Sequence, residues 1–389
     1  MLDVKKLPFD ERAKCAAYMR ASYNMSQLEI GTVLGGLSQP QVSRLLAQAE
    51  QKGYLVVEQR FARELFSDEW IQMVDRLLMP SGLFGELKDF CRRHGVCEPR
   101  LRAFESGPGH TEVRMAQRRT RLGRLAAGRM VELIEKSRIV GVAWGRTIKS
   151  VVEGIQASRL PITTSERIEF AAVCAELVSL AQHGYSSSIL AGALSEIFNG
   201  EPGSGPQLTG FPAYVPRHYA PDMRQSIWRF VRETPGHRRV FSGTGALIHR
   251  MDMLLSSVGS TSRPVLGSFD ELVAAAGIPA ERITTLVAGD LGGILIPRAN
   301  LSPDETRLVD DLNERWTGLH LEHVRDIAAR GDKDPATAGV VVVAVGAGRA
   351  GVILELIRGN LVNEVIMDHA GANELRTLIA ADTADAGTG

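Results

Sequence analysis

The run Gly35-Gly36-Leu37-Ser38-Gln39-Pro40-Gln41-Val42-Ser43-Arg44-Leu45-Leu46 decides how the first part of this chain folds. Ser38 can cap the open backbone N–H groups of a helix beginning at Gln39, and Pro40 is pre-set for a first turn. Val42, Leu45, Leu46 and Ala49 then recur at three-to-four-residue spacing as one apolar stripe, leaving Gln39, Gln41, Ser43 and Arg44 to face elsewhere. Those side chains suit base edges: glutamine pairs with adenine, arginine with guanine, and serine with base or phosphate. No carboxylate follows until Glu50. The stretch reads as the turn and reading helix of a helix-turn-helix.

Working outward, Asp10 to Ala21 has helical apolar spacing, and Asn24 ends that helix. Ser26 and Glu29 have the spacing of a capping box ahead of Ile30, Val33 and Leu34. Gly53 reads as the cap that ends the third helix, and Tyr54 to Glu58 as a short wing strand. Residues 1–60 are therefore expected to form a winged helix-turn-helix, with Ser26, Gln27, Ser38, Gln39, Gln41, Ser43 and Arg44 as DNA contacts. The plainer reading is a helical bundle used for packing or dimer contacts.

At 389 residues the chain is long enough for two or three domains. Its 45 Lys and Arg equal its 45 Asp and Glu, which excludes a generic polyanion binder. Residues 1–60 hold eight Lys or Arg against six Asp or Glu, so sequence-specific DNA reading there must lean on shape and dimerisation. Cys15, Cys91, Cys97 and Cys174 are scattered without zinc-type pairing, and reduced thiols in a cytosol are expected, with no metal and no cofactor. The start lacks a signal-peptide core, and no run approaches about 20 apolar residues, so neither export nor a membrane span is expected.

From Phe61 to about residue 110 helices alternate with breaks at Pro80, Gly82 and Pro99, read as a linker and entry segment. Arg114, Arg118, Arg119, Arg121, Arg124 and Arg129 follow on one helix, whose charges read as a solvated or subunit-contact face rather than a second DNA contact. Beyond it, short apolar runs end in glycine and lead into helices: Ile139 to Gly145, Arg167 to Val173, Arg239 to Gly245, and Val340 to Gly348, with Glu364 to Asp368 as another strand. Strand, glycine turn and helix in repetition marks an open, mostly parallel sheet covered on both faces. Residues 111–389 are expected to form this α/β unit.

Four stretches together resemble one family. Gln41 to Leu46, Val140-Gly141-Val142-Ala143-Trp144-Gly145-Arg146-Thr147, Ala288-Gly289-Asp290-Leu291-Gly292-Gly293, and Arg358 through Asn363 to Asp368 are similar, in this order, to the SorC family of sugar-responsive bacterial transcriptional regulators. The resemblance spans nearly the whole chain. It implies a winged-helix DNA reader joined to a Rossmann-like effector domain similar to sugar-phosphate isomerases. It further implies a sugar or sugar-phosphate effector, operator DNA as partner, and a homotetramer built as a dimer of dimers.

In such a sheet ligands sit beyond the carboxyl ends of the strands. Gly145-Arg146-Thr147 at a helix start offers N–H groups, a guanidinium and a hydroxyl, which suits a phosphate; a turn and a cap are the plainer roles. Asp290 stands where the family carries an acidic ligand contact, and Arg349 where relatives usually have lysine; the larger, forked arginine changes the anion geometry there. Cys174, Glu176, Ser187, Gly243 and Thr244 complete the expected effector contacts. An isomerase-like enzyme is the alternative, with His183 or Glu176 as acid or base.

Overall fold

The computed structural model describes residues 7–23, 25–55, 73–74, 79–164, 166–175, 184–201, 205–261, 276–334 and 336–386. The chain divides into two compact units, Met1–Ile71 and Gln72–Gly389.

The first unit contains α1 (Phe9–Tyr23), α2 (Gln27–Val33) and α3 (Gln39–Gln51). Ala13, Ala16 and Ala17 of α1 pack with Ile30 and Leu34 and with Val42, Leu45, Leu46 and Ala49 of α3. Ser26 and Glu29 form the expected box: the Glu29 N–H donates to Ser26 Oγ at 3.3 Å and the Ser26 N–H to Glu29 Oε2 at 2.7 Å. At Gly31 a Cβ would lie 2.3 Å from the Leu37 carbonyl oxygen, so only glycine lets the turn fold back onto α2. Gly35 and Gly36, both at positive φ, make that turn. Past α3, Tyr54 N–H returns to Ala49 O at 2.8 Å and Gly53 N–H to Glu50 O at 3.1 Å, the two bonds of a Schellman cap. Asp10 then ties the ends together, accepting from Lys52, Gln48 and Tyr54. The expected wing lies mostly outside the described residues, as does much of the expected linker that begins at Phe61.

In the second unit α4 (Leu83–His94) leads to β1 (Arg100–Phe104), α5 (Glu112–Glu135), β2 (Ile139–Val142), α6 (Arg146–Ser158), β3 (Glu169–Ala172), α7 (Ser187–Asn199) and α8 (Pro221–Glu233). There follow β4 (Met253–Ser260), α9 (Ala280–Leu286), the hairpin β5 (Val287–Leu291) and β6 (Ile294–Pro297), α10 (Pro303–Asn313), α11 (Leu321–Lys333), β7 (Gly339–Ala344), α12 (Ala350–Arg358), β8 (Glu364–Asp368) and α13 (His369–Ala386). Strands order as β1-β8-β7-β4-β2-β3, all parallel, while β5 runs antiparallel along the end of β4 and β6 pairs with β5.

Alternation along the strands builds two cores. Leu254, Val340, Val342 and Met367 face α4, α11, α12 and α13, whereas Leu255, Val341, Val343 and Ile366 face α5, α6 and α7. Helices α5 and α6 meet almost backbone to backbone: a Cβ on Gly123 would lie 2.0 Å from Ser150 O, and one on Gly154 2.3 Å from Gly123 O.

The sequence reading needs correction in two places here. Arg239 to Gly245 is not a strand; Arg238–Ser242 is a π-helical turn in which the neighbouring Val240 and Phe241 are both buried. The arginine-rich α5 is not a solvated face throughout. Arg118 is buried, and Arg129 is held by Glu364 at 2.7 and 2.8 Å.

Candidate functional site

On the first unit, Ser38, Gln39, Gln41, Ser43 and Arg44 are all exposed, as the apolar stripe requires. Gln41 is partly committed: its Oε1 accepts from the Ser38 N–H at 2.8 Å and the Ser38 hydroxyl at 2.9 Å, which leaves its amide N–H groups facing out. Among the described residues Arg44 has no ion-pair partner. Ser26 is exposed and Gln27 half-buried at the start of α2, with the Ser26 hydroxyl engaged in its cap. The α3 surface is thus a row of short polar groups and one cation on a rigid helix.

On the second unit, the chain leaves β2 toward β3 on one side and leaves β4 toward β7 and β8 on the other. The neighbours β2 and β4 therefore flank a switch point, where loops part and leave a crevice. Gly145 begins α6 there, its N–H bonded to Tyr185 O at 3.0 Å, and a Cβ on it would lie 2.8 Å from Ser257 Oγ. Arg146 and Thr147 follow in the first turn of α6, both half-buried. Arg349 ends the turn Gly346-Ala347-Gly348 beyond β7.

Three guanidinium groups share this region. Burial, then the charges of Arg146 and Arg349, weaken the hold of Arg119 on its proton. Burial and then Arg146 do the same to Arg349, against the opposing pull of Asp290 and Asp368. Arg146 has Glu112 at 3.2 Å, but among the described residues the Arg349 guanidinium has no hydrogen-bond or ion-pair partner. Three partly desolvated cations set against one another are an arrangement that an anion relieves.

The turn that carries Arg349 is pinned from below by Asp368, at the carboxyl end of β8. Asp368 Oδ1 accepts from the N–H groups of Gly346 and Gly371 at 3.0 Å each, while Oδ2 accepts from Ser106 at 2.7 Å and from Arg118. Asp290 sits on the β5–β6 hairpin, accepting from the Gly293 N–H at 3.0 Å. Burial pushes its carboxyl up to about 6, against that N–H and Arg349. Trp316 packs against Gly293 and meets Trp144 edge to face, ring centres 5.4 Å apart. Its indole N–H and the Tyr214 hydroxyl are buried and have no hydrogen-bond partner among the described residues.

Other expected contacts lie elsewhere or face inward. Cys174 is fully buried, its thiol donates to Gly292 O at 3.2 Å, and burial pushes it up to about 12, so it knots two loops as a neutral thiol. Ser187 is spent on β2 and β3: it donates to Val142 O and accepts from the N–H groups of Val173 and Cys174. Gly243 and Thr244 follow the π-turn, whose Arg239 pairs with Glu169 at the first residue of β3, so they stand at the amino-terminal edge of the sheet. Glu176 and His183 lie outside the described residues.

Two residues escaped the sequence reading. Arg119 was hidden in a run of like residues, and Arg118 among supposed surface charges. A separate cavity of about 650 Å³ is lined by Arg217, Arg307 and Arg315, but each of these already pairs with a carboxylate, Arg307 with Asp304 and the other two with a shared Asp311, which weakens it as an anion site. Among the described residues no group of His, Cys, Asp and Glu could hold a metal ion, and no helix is long and apolar enough to cross a membrane.

Residues 108–165, which span α5, β2 and α6 and so hold Arg118, Arg119, Arg146 and Thr147, match the family described as "Putative sugar-binding domain". No curated protein matches the sequence. Among solved structures, the full-length sorbitol operon regulator SorC from Klebsiella pneumoniae superposes with a TM-score of 0.51 at 17% identity, covering 94% of this chain and 98% of its own. A transcriptional regulator from Streptococcus pneumoniae TIGR4 gives 0.51 at 16% identity over 78% of this chain and 98% of that one. A DeoR family transcriptional regulator from Listeria monocytogenes gives 0.50 at 15% identity over 76% and 100%. In agreement with the resemblance read from the sequence, the chain has the architecture of the SorC-type transcriptional regulators, a helical N-terminal unit ahead of an α/β unit that carries a sugar-binding family segment.

Proposed function

We propose that this chain is a DNA-binding transcriptional regulator of a carbohydrate catabolic operon whose operator affinity is set by a phosphorylated sugar or polyol. The observation that carries the reading is the convergence of Arg119, Arg146 and Arg349 at the switch point, with Arg349 lacking an ion-pair partner among the described residues. The phosphate is assigned to these arginines and to the first turn of α6 around Thr147. The carbon chain is assigned to the Asp290 side, where a carboxylate accepts sugar hydroxyls and the Trp316 N–H donates to one. On the first unit, Gln39, Gln41, Ser43 and Arg44 are the base- and phosphate-contacting set, and Ser26 and Gln27 contact the backbone.

This reading makes the chain a cytoplasmic switch and not a catalyst, and a homotetramer assembled as a dimer of dimers. Residues 1–60 are the DNA reader, 61–110 the connection and 111–389 the effector and assembly unit. The test is Arg349→Ala. Operator binding by fluorescence anisotropy should stay within about twofold of the original, while response to sugar phosphates falls by about tenfold or more, the loss expected for a charge-assisted contact. A response that survives intact removes Arg349 from the site. Failure of the unmodified protein to bind its own upstream DNA at low salt, or steady turnover of a sugar phosphate, overturns the regulator reading.

A further inference from the structure

Helix α8 carries an apolar stripe that the fold leaves uncovered. Its inner side is accounted for: Val231 is buried, and Ile227 and Trp228 pack against the core. On one flank, however, Met223 is 53% and Phe230 56% exposed, and Tyr219, just ahead of the helix, is 39% exposed. Ser226, between them, is also exposed. Within the helix, Met223, Ser226 and Phe230 are separated by three and four residues, the spacing of a seam between two packed helices, and Tyr219 lies just beyond its amino-terminal end. Single exposed apolar residues are ordinary, but several in register on one flank mark a contact surface.

The side chains themselves identify the occupant. Laid antiparallel against a second α8 about a two-fold axis, Met223 of each copy covers Ser226 of the other, a large residue over a small one, and Phe230 of each reaches Tyr219 of the other. Asp222 and Arg229 sit seven residues apart on the same flank of the seam. In the antiparallel arrangement Asp222 of each copy faces Arg229 of the other, giving two opposite-charge pairs. Among the described residues neither has an ion-pair partner within the chain. A parallel arrangement loses all of this, since it sets Met223 on Met223, Phe230 on Phe230, and Asp222 against Ile227.

We propose that α8 is a two-fold contact between two copies of this chain. The assignment rests on the homo-oligomeric part of the function proposed above and says nothing about the effector. Two 13-residue helices make a contact at the small end of stable interfaces, so dissociation is expected at about micromolar concentration.

The test is sedimentation of the full chain from about 0.1 to about 100 micromolar, a range that brackets that affinity. Phe230→Glu and Met223→Glu, both at exposed positions, should each raise the dissociation constant of this contact by about tenfold or more while leaving the melting temperature, measured well below that dissociation constant, unchanged. Asp222→Arg alone and Arg229→Asp alone should each weaken association, and the double variant should restore it, because only a symmetric antiparallel seam pairs these two positions. An oligomer that Phe230→Glu leaves intact overturns this surface alone. So does a charge-reversed double variant no better than either single. A chain that is monomeric throughout removes both the surface and the oligomeric part of the broader reading.

Discussion

Asp368 is among the most heavily used side chains of the second unit. It is 1% exposed, holds two backbone N–H groups that fix the turn before Arg349, and meets a buried guanidinium, Arg118, that is itself 2% exposed. Asp368→Ala should cost about 3–5 kcal/mol in urea unfolding, because it strands Arg118 as an uncompensated buried charge. The double variant Asp368→Leu with Arg118→Met should cost much less than the sum of the two single changes; strict additivity would mean that the pair is not coupled. At this scale the sequence was partly legible. Arg146, Arg349 and Asp290 could be picked out because each follows a glycine turn or strand at the end of an apolar run. Arg119 could not, since nothing in the spacing of six arginines on one helix tells a side chain facing a crevice from one facing water. Cys174 and Ser187 were placed at the right strand end but turned the wrong way, because small polar residues there serve equally to bind a ligand or to tie loops together.

Among the elements, most of the capping chemistry around α3 was readable, because caps are local: Ser26 to Glu29 and Gly53 act within four residues of themselves, whereas the Ser38 hydroxyl, expected to accept from the helix N–H groups, instead donates to Gln41 Oε1. Strands β1 and β4 were not. Arg100–Phe104 borrows its identity from parallel pairing with β8, and the apolar run of Met253–Ser260 is interrupted by Ser256 and Ser257. The π-turn at 238–242 imitated a strand with Val240 and Phe241, which in fact pack inward beside a cluster of histidines. His237, His320 and His323 gather there with Phe241: His323 stacks on Phe241 at 5.5 Å, His237 lies 5.1 Å from it, and His323 Nδ1 accepts from the His320 N–H at 3.1 Å. Burial, then neighbouring histidines and Arg232, pushes His237 and His323 down to about 4 and lowers His320. Glu322, Asp326 and His249 complete the charged surroundings. A histidine near 6.5 when unfolded and near 4 when folded stabilises the neutral-pH fold. That contribution is full above about pH 6.5 and is lost as pH falls toward 4, by up to about 3 kcal/mol per group. Unfolding free energy should therefore drop between pH 7 and 4.5, and His323→Gln, which keeps an acceptor for the His320 N–H, should flatten that drop. An unchanged pH profile in the variant would show that His323 does not titrate in this way.

For the molecule as a whole, the proposed switch requires that a binding event on the α/β unit be felt by the proposed reader on α3. The chain as a whole carries equal numbers of cationic and anionic residues, so bulk electrostatics does not supply the proposed operator affinity. Operator affinity is then expected to come from several α3 helices presented at once, where effective concentration multiplies weak individual contacts. An effector that alters their spacing acts on that multiplication and not on any single base contact. Linkage makes this quantitative: the factor by which a sugar phosphate changes operator affinity must equal the factor by which operator DNA changes sugar-phosphate affinity, and a factor of about 5–150 is usual for such coupling. Measured at one fixed salt concentration, Arg44→Ala should lower operator affinity and leave effector affinity of the free protein alone. Arg349→Ala should lower effector affinity and leave operator affinity alone, with the coupling factor in each variant obtained from both directions of the cycle. If Arg44→Ala weakened effector binding in the absence of DNA, α3 and the switch-point arginines would belong to one site and not to two linked ones. The separation of a reading helix from an effector crevice, on which the proposed switch depends, would then be lost.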